Sequence, residues 1–351
     1  MDMTTPARSP NISLHYFHYS LPPLSTVILI LWSILTAVVS IAGNTVILVG
    51  TIRHNAIKLD KISLILIKNL AVADLGSAVL VVLPSTWSLA KRRAFFDDNL
   101  IVCSVSSYIQ LLFPIISSII VSSLAVNKLI VLLKPLKTLE RSGMNAHVIC
   151  LIALVCGLVP AVEFLIVGGK TPVFDTRSCR CIMTWQGSPL KNTWIMLDNL
   201  TTILFVLLPF FVIIISTVWL YFFLRKVRVI QRQSIMLILS VGITYLVSFI
   251  PYLLYVTLAN ALKLTSAQKY RDNVVGQLYA GALYVNYLNI MCNPILYYFT
   301  SASFNRYVRR YWRYWWGRVN GSQTGPIRNL DLSYTRENAG RKTRESSRGD
   351  N

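Results

Sequence analysis

The sequence predicts an all-α membrane protein, a seven-transmembrane helix bundle with a short amphipathic eighth helix. Three observations carry that reading. Hydrophobic residues make up 54% of the 351-residue chain and charged residues only 14%, with a mean hydropathy of +0.55. Seven segments reach the roughly 20 apolar residues needed to cross a hydrocarbon core. The stretches 99–127, 199–224, 233–262 and 273–305 contain no charge at all, so helices built from them have no face to present to water.

Taken in order, residues 1–23 read as an extracellular N-terminal segment, polar and broken by Pro10, Pro22 and Pro23. The first apolar run is too long for a signal-peptide core and reads as a retained first span. The spans are expected at about 24–52, 60–89, 100–133, 146–169, 195–225, 232–260 and 273–299. Lys68 and Asp74 interrupt the second. Lys68 lies close enough to the span's end to snorkel to the headgroups, whereas Asp74 is too deep and too short and must face the bundle interior.

The charge of +20 would suggest nucleic acid in a soluble chain, but here it orients the spans. With the N-terminus outside, 21 Lys and Arg fall on the cytoplasmic side and 11 on the other, as the positive-inside rule requires. The chain is thus expected to be multi-pass in the plasma membrane, with an extracellular N-terminus and a cytoplasmic C-terminus, and the sequon at Asn11 lies on the side where glycosylation occurs. In residues 300–316, Phe304, Tyr307, Val308, Tyr311 and Trp312 alternate at helical spacing with Arg306, Arg309, Arg310 and Arg313. That is an interfacial amphipathic helix on an anionic lipid surface, not a nucleic-acid patch. Residues 317–351 read as a disordered cytoplasmic tail.

Chemistry-bearing residues are sparse. No nucleophile–base pair or carboxylate dyad stands out, and His15, His18, His54 and His147 form no metal cluster, so the chain is not expected to be an enzyme. No CxxC pair suggests zinc. The polar groups set in apolar spans are Asn44, Asp74, Asn289 and Asn293, none of which should be buried unpaired. Pro209, Pro251 and Pro294 each remove an intrahelical hydrogen bond and kink a span.

These residues carry a resemblance to the rhodopsin-like (class A) G protein-coupled receptors, as a divergent, orphan-like member. It rests on Gly43-Asn44, Leu70-Ala71-Val72-Ala73-Asp74, Cys103, Pro209, Pro251 and Asn293-Pro294-Ile295-Leu296-Tyr297, one element per expected span. The resemblance covers about residues 24–316. It implies a receptor domain over 24–299 that transmits the binding of an extracellular ligand to a heterotrimeric G protein, with arrestin as a further partner. It implies a sodium ion at Asp74, facing Ser117, Asn289 and Asn293, and a cytoplasmic cleft opened by rearrangement around Phe249, Pro251, Pro294 and Tyr297. It also implies a disulfide from Cys103 to the second outer loop. There both Cys179 and Cys181 are available, Cys181 standing nearer the typical position.

The chain departs from that family at the base of span 3, where Asn127-Lys128-Leu129 stands in place of Asp-Arg-Tyr. Asn127 offers no charge to pair and Lys128 lacks the planar fork of arginine, so coupling is expected to be altered, weak or constitutive. Gln110 in place of an aspartate argues against a monoamine ligand, and Tyr287 in place of a lysine against retinal. Phe113, Tyr252, Tyr255 and Tyr284 join these two as pocket candidates. A basic outer rim of Lys91, Arg92, Arg93, Arg177 and Arg180 favours an anionic ligand. Two alternatives stand beside the signalling receptor: a seven-span scavenger or scaffold without G protein activation, and a cation-coupled transporter. The transporter is the weaker of the two, because no repeat relates the halves.

Overall fold

The structure, a computed structural model, describes residues 15–17, 23–53, 56–57, 59–92, 99–133, 144–167, 171–175, 178–184, 200–201, 203–225, 229–261 and 273–320. Asn11, Arg93, Arg177 and the tail from 321 onward lie outside them. Within them the chain is an all-α membrane bundle with one small sheet. Six helices are long and apolar enough to cross a membrane: α1 (Pro23–Arg53), α2 (Lys61–Lys91), α3 (Leu100–Leu133), α4 (Met144–Val167), α5 (Ile203–Leu224) and α6 (Val229–Ala261). Two shorter helices, α7 (Asn273–Val285) and α8 (Leu288–Thr300), follow, and then α9 (Ala302–Val319).

Polarity in the bundle is inverted relative to a soluble protein. On α1, Ser33, Thr36, Ser40 and Asn44 are buried at helical spacing while Leu31, Val38 and Ile52 face outward. Lipid tails are as apolar as leucine, so close approach of small residues, not hydrophobic segregation, selects the inner face. Hydroxyls that turn inward satisfy themselves on their own helix, Ser33 on the Leu29 carbonyl and Thr51 on the Ile47 carbonyl, both at 2.7 Å.

Prolines shape the helices through the carbonyls they release. A widened π-type turn precedes Pro84 in α2 (Ala78–Val82), and another precedes Pro209 in α5 (Ile203–Leu207). Pro209 cannot donate to the Phe205 carbonyl four residues back, and the Ser118 hydroxyl of α3, whose one proton is shared with the Ile115 carbonyl at 2.8 Å, reaches it at 3.2 Å. Pro294 leaves the Ile290 carbonyl without its helical donor in the same way, and the Asn44 amide of α1 supplies one at 3.2 Å.

The region expected as one span over 273–299 is interrupted by a turn at Asn286-Tyr287. The Tyr284 carbonyl there accepts both the Tyr287 N–H of the turn at 3.2 Å and the Trp32 indole N–H of α1 at 2.9 Å. At Ser301 the backbone becomes extended and its hydroxyl accepts the Phe304 N–H at 3.3 Å, capping α9. Phe304 is buried under the bundle while Trp312, Trp315 and Trp316 are exposed, the asymmetry of a helix lying along a lipid surface.

The sheet is an addition to the all-α expectation. Its order is β1 (His15–Phe17), β2 (Thr171–Asp175), β3 (Arg180–Thr184), with β1 parallel to β2 and β2 antiparallel to β3. It rests against the N-terminal end of α3, tied there by a disulfide between Cys103 and Cys181.

Candidate functional site

Midway through the bundle, Asp74 of α2 is fully buried, and the Asn293 amide of α8 donates to its Oδ2 at 2.7 Å. Ser117 and Asn289 are buried as well. The oxygens Oδ1 of Asp74, Asn44, Asn289 and Asn293 have no hydrogen-bond partner in the structure. Four buried acceptor oxygens without donors call for a proton, water or a hard cation, since an unsatisfied polar group at this depth costs several kcal/mol (roughly). Among the described residues no three His, Cys, Asp or Glu side chains converge as metal ligands, so a cation here would rest on one carboxylate and amide oxygens. Beside these polar groups, Pro294 sits so close to α1 that a Cβ on Gly43 would lie 2.4 Å from its ring carbons. The Gly43-Asn44 pair therefore does two jobs: glycine admits the proline ring, and asparagine satisfies the carbonyl that the proline releases.

The centre of the bundle holds an aromatic stack. Phe249 of α6 lies 5.9 Å from the Tyr245 ring and nearly parallel to it, 5.8 Å from Phe210 and 5.7 Å from Tyr252. Pro251 lies two residues beyond Phe249 within α6.

At the C-terminal end of α3, Asn127 donates to Asp60 Oδ2 at 2.9 Å and to the Ser63 hydroxyl at 3.0 Å. Asp60 is also the N-cap of α2, accepting the Ser63 N–H. Position 127 is therefore not without an acid nearby: the carboxylate comes from α2. Lys128, the next residue along, is only 6% exposed. Leu129 packs at the edge of the apolar core, and Tyr297 is buried with its hydroxyl unpartnered. Sequence reasoning missed Asp60. The available signal was an acid directly before an apolar run with a serine three residues on, the pattern of a helix start.

At the N-terminal end of α3, the Cys103–Cys181 bridge resolves the choice left open above. Cys179 stands beside it, buried, in left-handed backbone with φ of 50°. Burial, with the Asp175 carboxylate second, pushes its thiol up to about 12. It therefore stays protonated and is a poor nucleophile toward its neighbour's bridge.

Next to the bridge lies a small cavity, lined by Ser85 and Ser88 of α2, Ser106 and Gln110 of α3, and Arg180 of β3. Gln110 is thus in the cavity wall. Tyr284 and Tyr287 hold Arg180: its guanidinium lies 5.4 and 4.9 Å from their ring centroids and donates to the Tyr287 hydroxyl. The other pocket candidates are engaged elsewhere. The Phe113 ring packs on Gly76, leaving no room for a Cβ there, Tyr252 belongs to the Phe249 stack, and Tyr255 pairs with Tyr279 at 5.0 Å.

The family described as 7 transmembrane receptor (rhodopsin family) matches residues 43–297. Among relatives, the human type-1 angiotensin II receptor is 23% identical over 286 residues, 79% of this chain and 78% of that one. The type-1 angiotensin II receptor of Cavia porcellus is 22% identical over 306 residues, 85% and 84% of the two chains. The type-1 angiotensin II receptor A of Rattus norvegicus is 22% identical over 286 residues, 79% and 78%.

Proposed function

The chain belongs to the rhodopsin family of seven-transmembrane receptors, a non-enzymatic class, and from that premise we propose that it is a cell-surface receptor coupling an extracellular ligand to a heterotrimeric G protein. In this reading α7 and α8 together form the seventh span, interrupted at Asn286-Tyr287, and α9 is the interfacial eighth helix. The disulfide-tied outer loop faces the cell exterior and the Arg-rich α9 the cytoplasmic leaflet, in the plasma membrane.

The observation that carries the proposal is the buried polar group that ties α1, α2 and the kinked α8 together. The Asn293 amide donates to Asp74, and the Asn44 amide donates to the Ile290 carbonyl that Pro294 releases. Groups of this kind are expensive in a membrane and are retained where helices must occupy two arrangements. Ligand outside and G protein inside would each favour the open arrangement, so each would strengthen the other's binding. Arrestin would compete for the same inner surface.

A sodium ion fits the residues present. Asp74 would supply the charge, and Ser117, Asn289 and Asn293 neutral oxygens, hard donors of the type small cations select. The bound ion would stabilise the closed arrangement by satisfying the oxygens left without donors.

At the inner end the resting lock is relocated. Asp60 of α2 supplies the negative charge and Asn127 bridges the two helices, while the Gln233 amide of α6 donates to the Thr300 carbonyl of α8 at 2.9 Å. A second reading, a ligand scavenger without G protein activation, is favoured by the burial of Lys128, which does not present its cation at the inner surface. Guanine-nucleotide exchange separates the two: exchange above receptor-free membranes supports coupling, and its absence across all G protein classes with the receptor at the surface supports the scavenger.

A further inference from the structure

Arg180 is 8% exposed and its Nε has no hydrogen-bond partner. Among the described residues its neighbours are a tyrosine hydroxyl and two rings, none with a full negative charge. The carboxylate in register across the strands, Asp175, accepts instead from the Ser178 N–H at 3.2 Å and hydroxyl at 2.5 Å. A cation taken out of water without a counter-charge is costly, and an entering anion would relieve that cost.

The rest of the cavity has the same polarity. Among the described residues, its lining includes Ser85, Ser88 and Ser106, whose hydroxyls can donate, and no Asp or Glu. The N-terminus of the 34-residue α3 opens beside it, capped by Asn99, which accepts the Ile101 and Val102 N–H groups at 3.0 and 3.2 Å. The positive end of that helix dipole favours an anion.

We propose that this cavity seats an acidic group of the ligand, an oxyanion held by Arg180 Nε and by the hydroxyls of Ser85, Ser88 and Ser106. The inference rests on the chain being a ligand-binding receptor and narrows its ligand to one carrying a carboxylate or a phosphate. The cavity is far smaller than a whole small-ligand site, with room for little more than one or two water-sized groups. It therefore takes only the acidic group itself, and the remainder of the ligand extends through the mouth.

The test is thermal unfolding of the purified full-length chain titrated with hexanoate, hexyl phosphate and hexan-1-ol. A saturable rise in unfolding temperature with hexanoate alone assigns a carboxylate, and with hexyl phosphate alone a phosphate. The alcohol produces no comparable rise. Arg180→Gln weakens the apparent affinity about 10- to 100-fold, as loss of a charge-assisted hydrogen bond implies. Should that variant fail to fold, Ser88→Ala/Ser106→Ala, which leaves Arg180 and its ring contacts in place, weakens the acid's affinity several-fold and leaves the response to the alcohol unchanged. No rise with either acid, an equal rise with hexanol, or affinities unmoved by these substitutions overturns the proposal. The assay contains no G protein, so acid binding without nucleotide exchange sinks the signalling reading alone, and exchange without acid binding sinks this one alone.

Discussion

Two cysteines one residue apart have opposite fates, and their environments explain why. Cys181 closes a bridge across 78 residues, worth about 4–5 kcal/mol in chain-entropy terms. Cys179 is held as a buried thiol in left-handed backbone. Cys181→Ser is therefore expected to abolish the bridge and most surface expression, whereas Cys179→Ser keeps both. Non-reducing thiol labelling of surface-expressed chains checks this, and a labelled Cys103 in Cys179→Ser would refute it. Asp74 supports a second expectation at this scale. Replacing choline chloride with sodium chloride should raise the unfolding temperature of the wild type, and Asp74→Asn should erase that difference. A sodium response preserved in Asp74→Asn would remove Asp74 from any cation site.

Between elements, the recurring device is a proline that releases a carbonyl and a neighbouring helix that satisfies it, Ser118 for Phe205 and Asn44 for Ile290. The second pair is open to a double-mutant cycle. Asn44→Leu alone strands the Ile290 carbonyl and should cost about 1–3 kcal/mol. In a Pro294→Ala background the alanine N–H can take over that carbonyl, so the same substitution should cost clearly less. Additive costs would mean that Asn44 does not serve the proline kink. The inner end also changes an expectation. From the sequence, Asn127→Asp restores a missing acid and should quieten the receptor. With Asp60 Oδ2 2.9 Å from the Asn127 amide, the substitution instead sets two carboxylates against each other, and like charges at that distance repel or share a proton. It should loosen α2 from α3 and raise agonist-independent exchange.

For the whole molecule, what was legible in the sequence divides along physical lines. Six helices long and apolar enough to cross a membrane follow from charge-free runs, because the bilayer leaves the backbone no other solution. Asp74, Asn44 and Asn293 stood out as polar groups in apolar segments. Asp60 did not, because its partner lies on another helix 67 residues away. Nor did Arg180 separate from the rest of the basic outer rim, since its burial depends on how the strands fold over α3. The turn at Asn286-Tyr287 contains neither proline nor glycine, and the Trp32 donor that meets it sits on α1.

The proposed receptor signals to a G protein through an inner lock built on Asp60. The most direct measurement is guanine-nucleotide exchange by a panel of heterotrimeric G proteins on membranes carrying wild type or Asp60→Asn at matched surface expression. Exchange above receptor-free membranes is expected for at least one G protein, rising further in Asp60→Asn as the negative charge between α2 and α3 is lost. Silence of both proteins across the whole panel would contradict it.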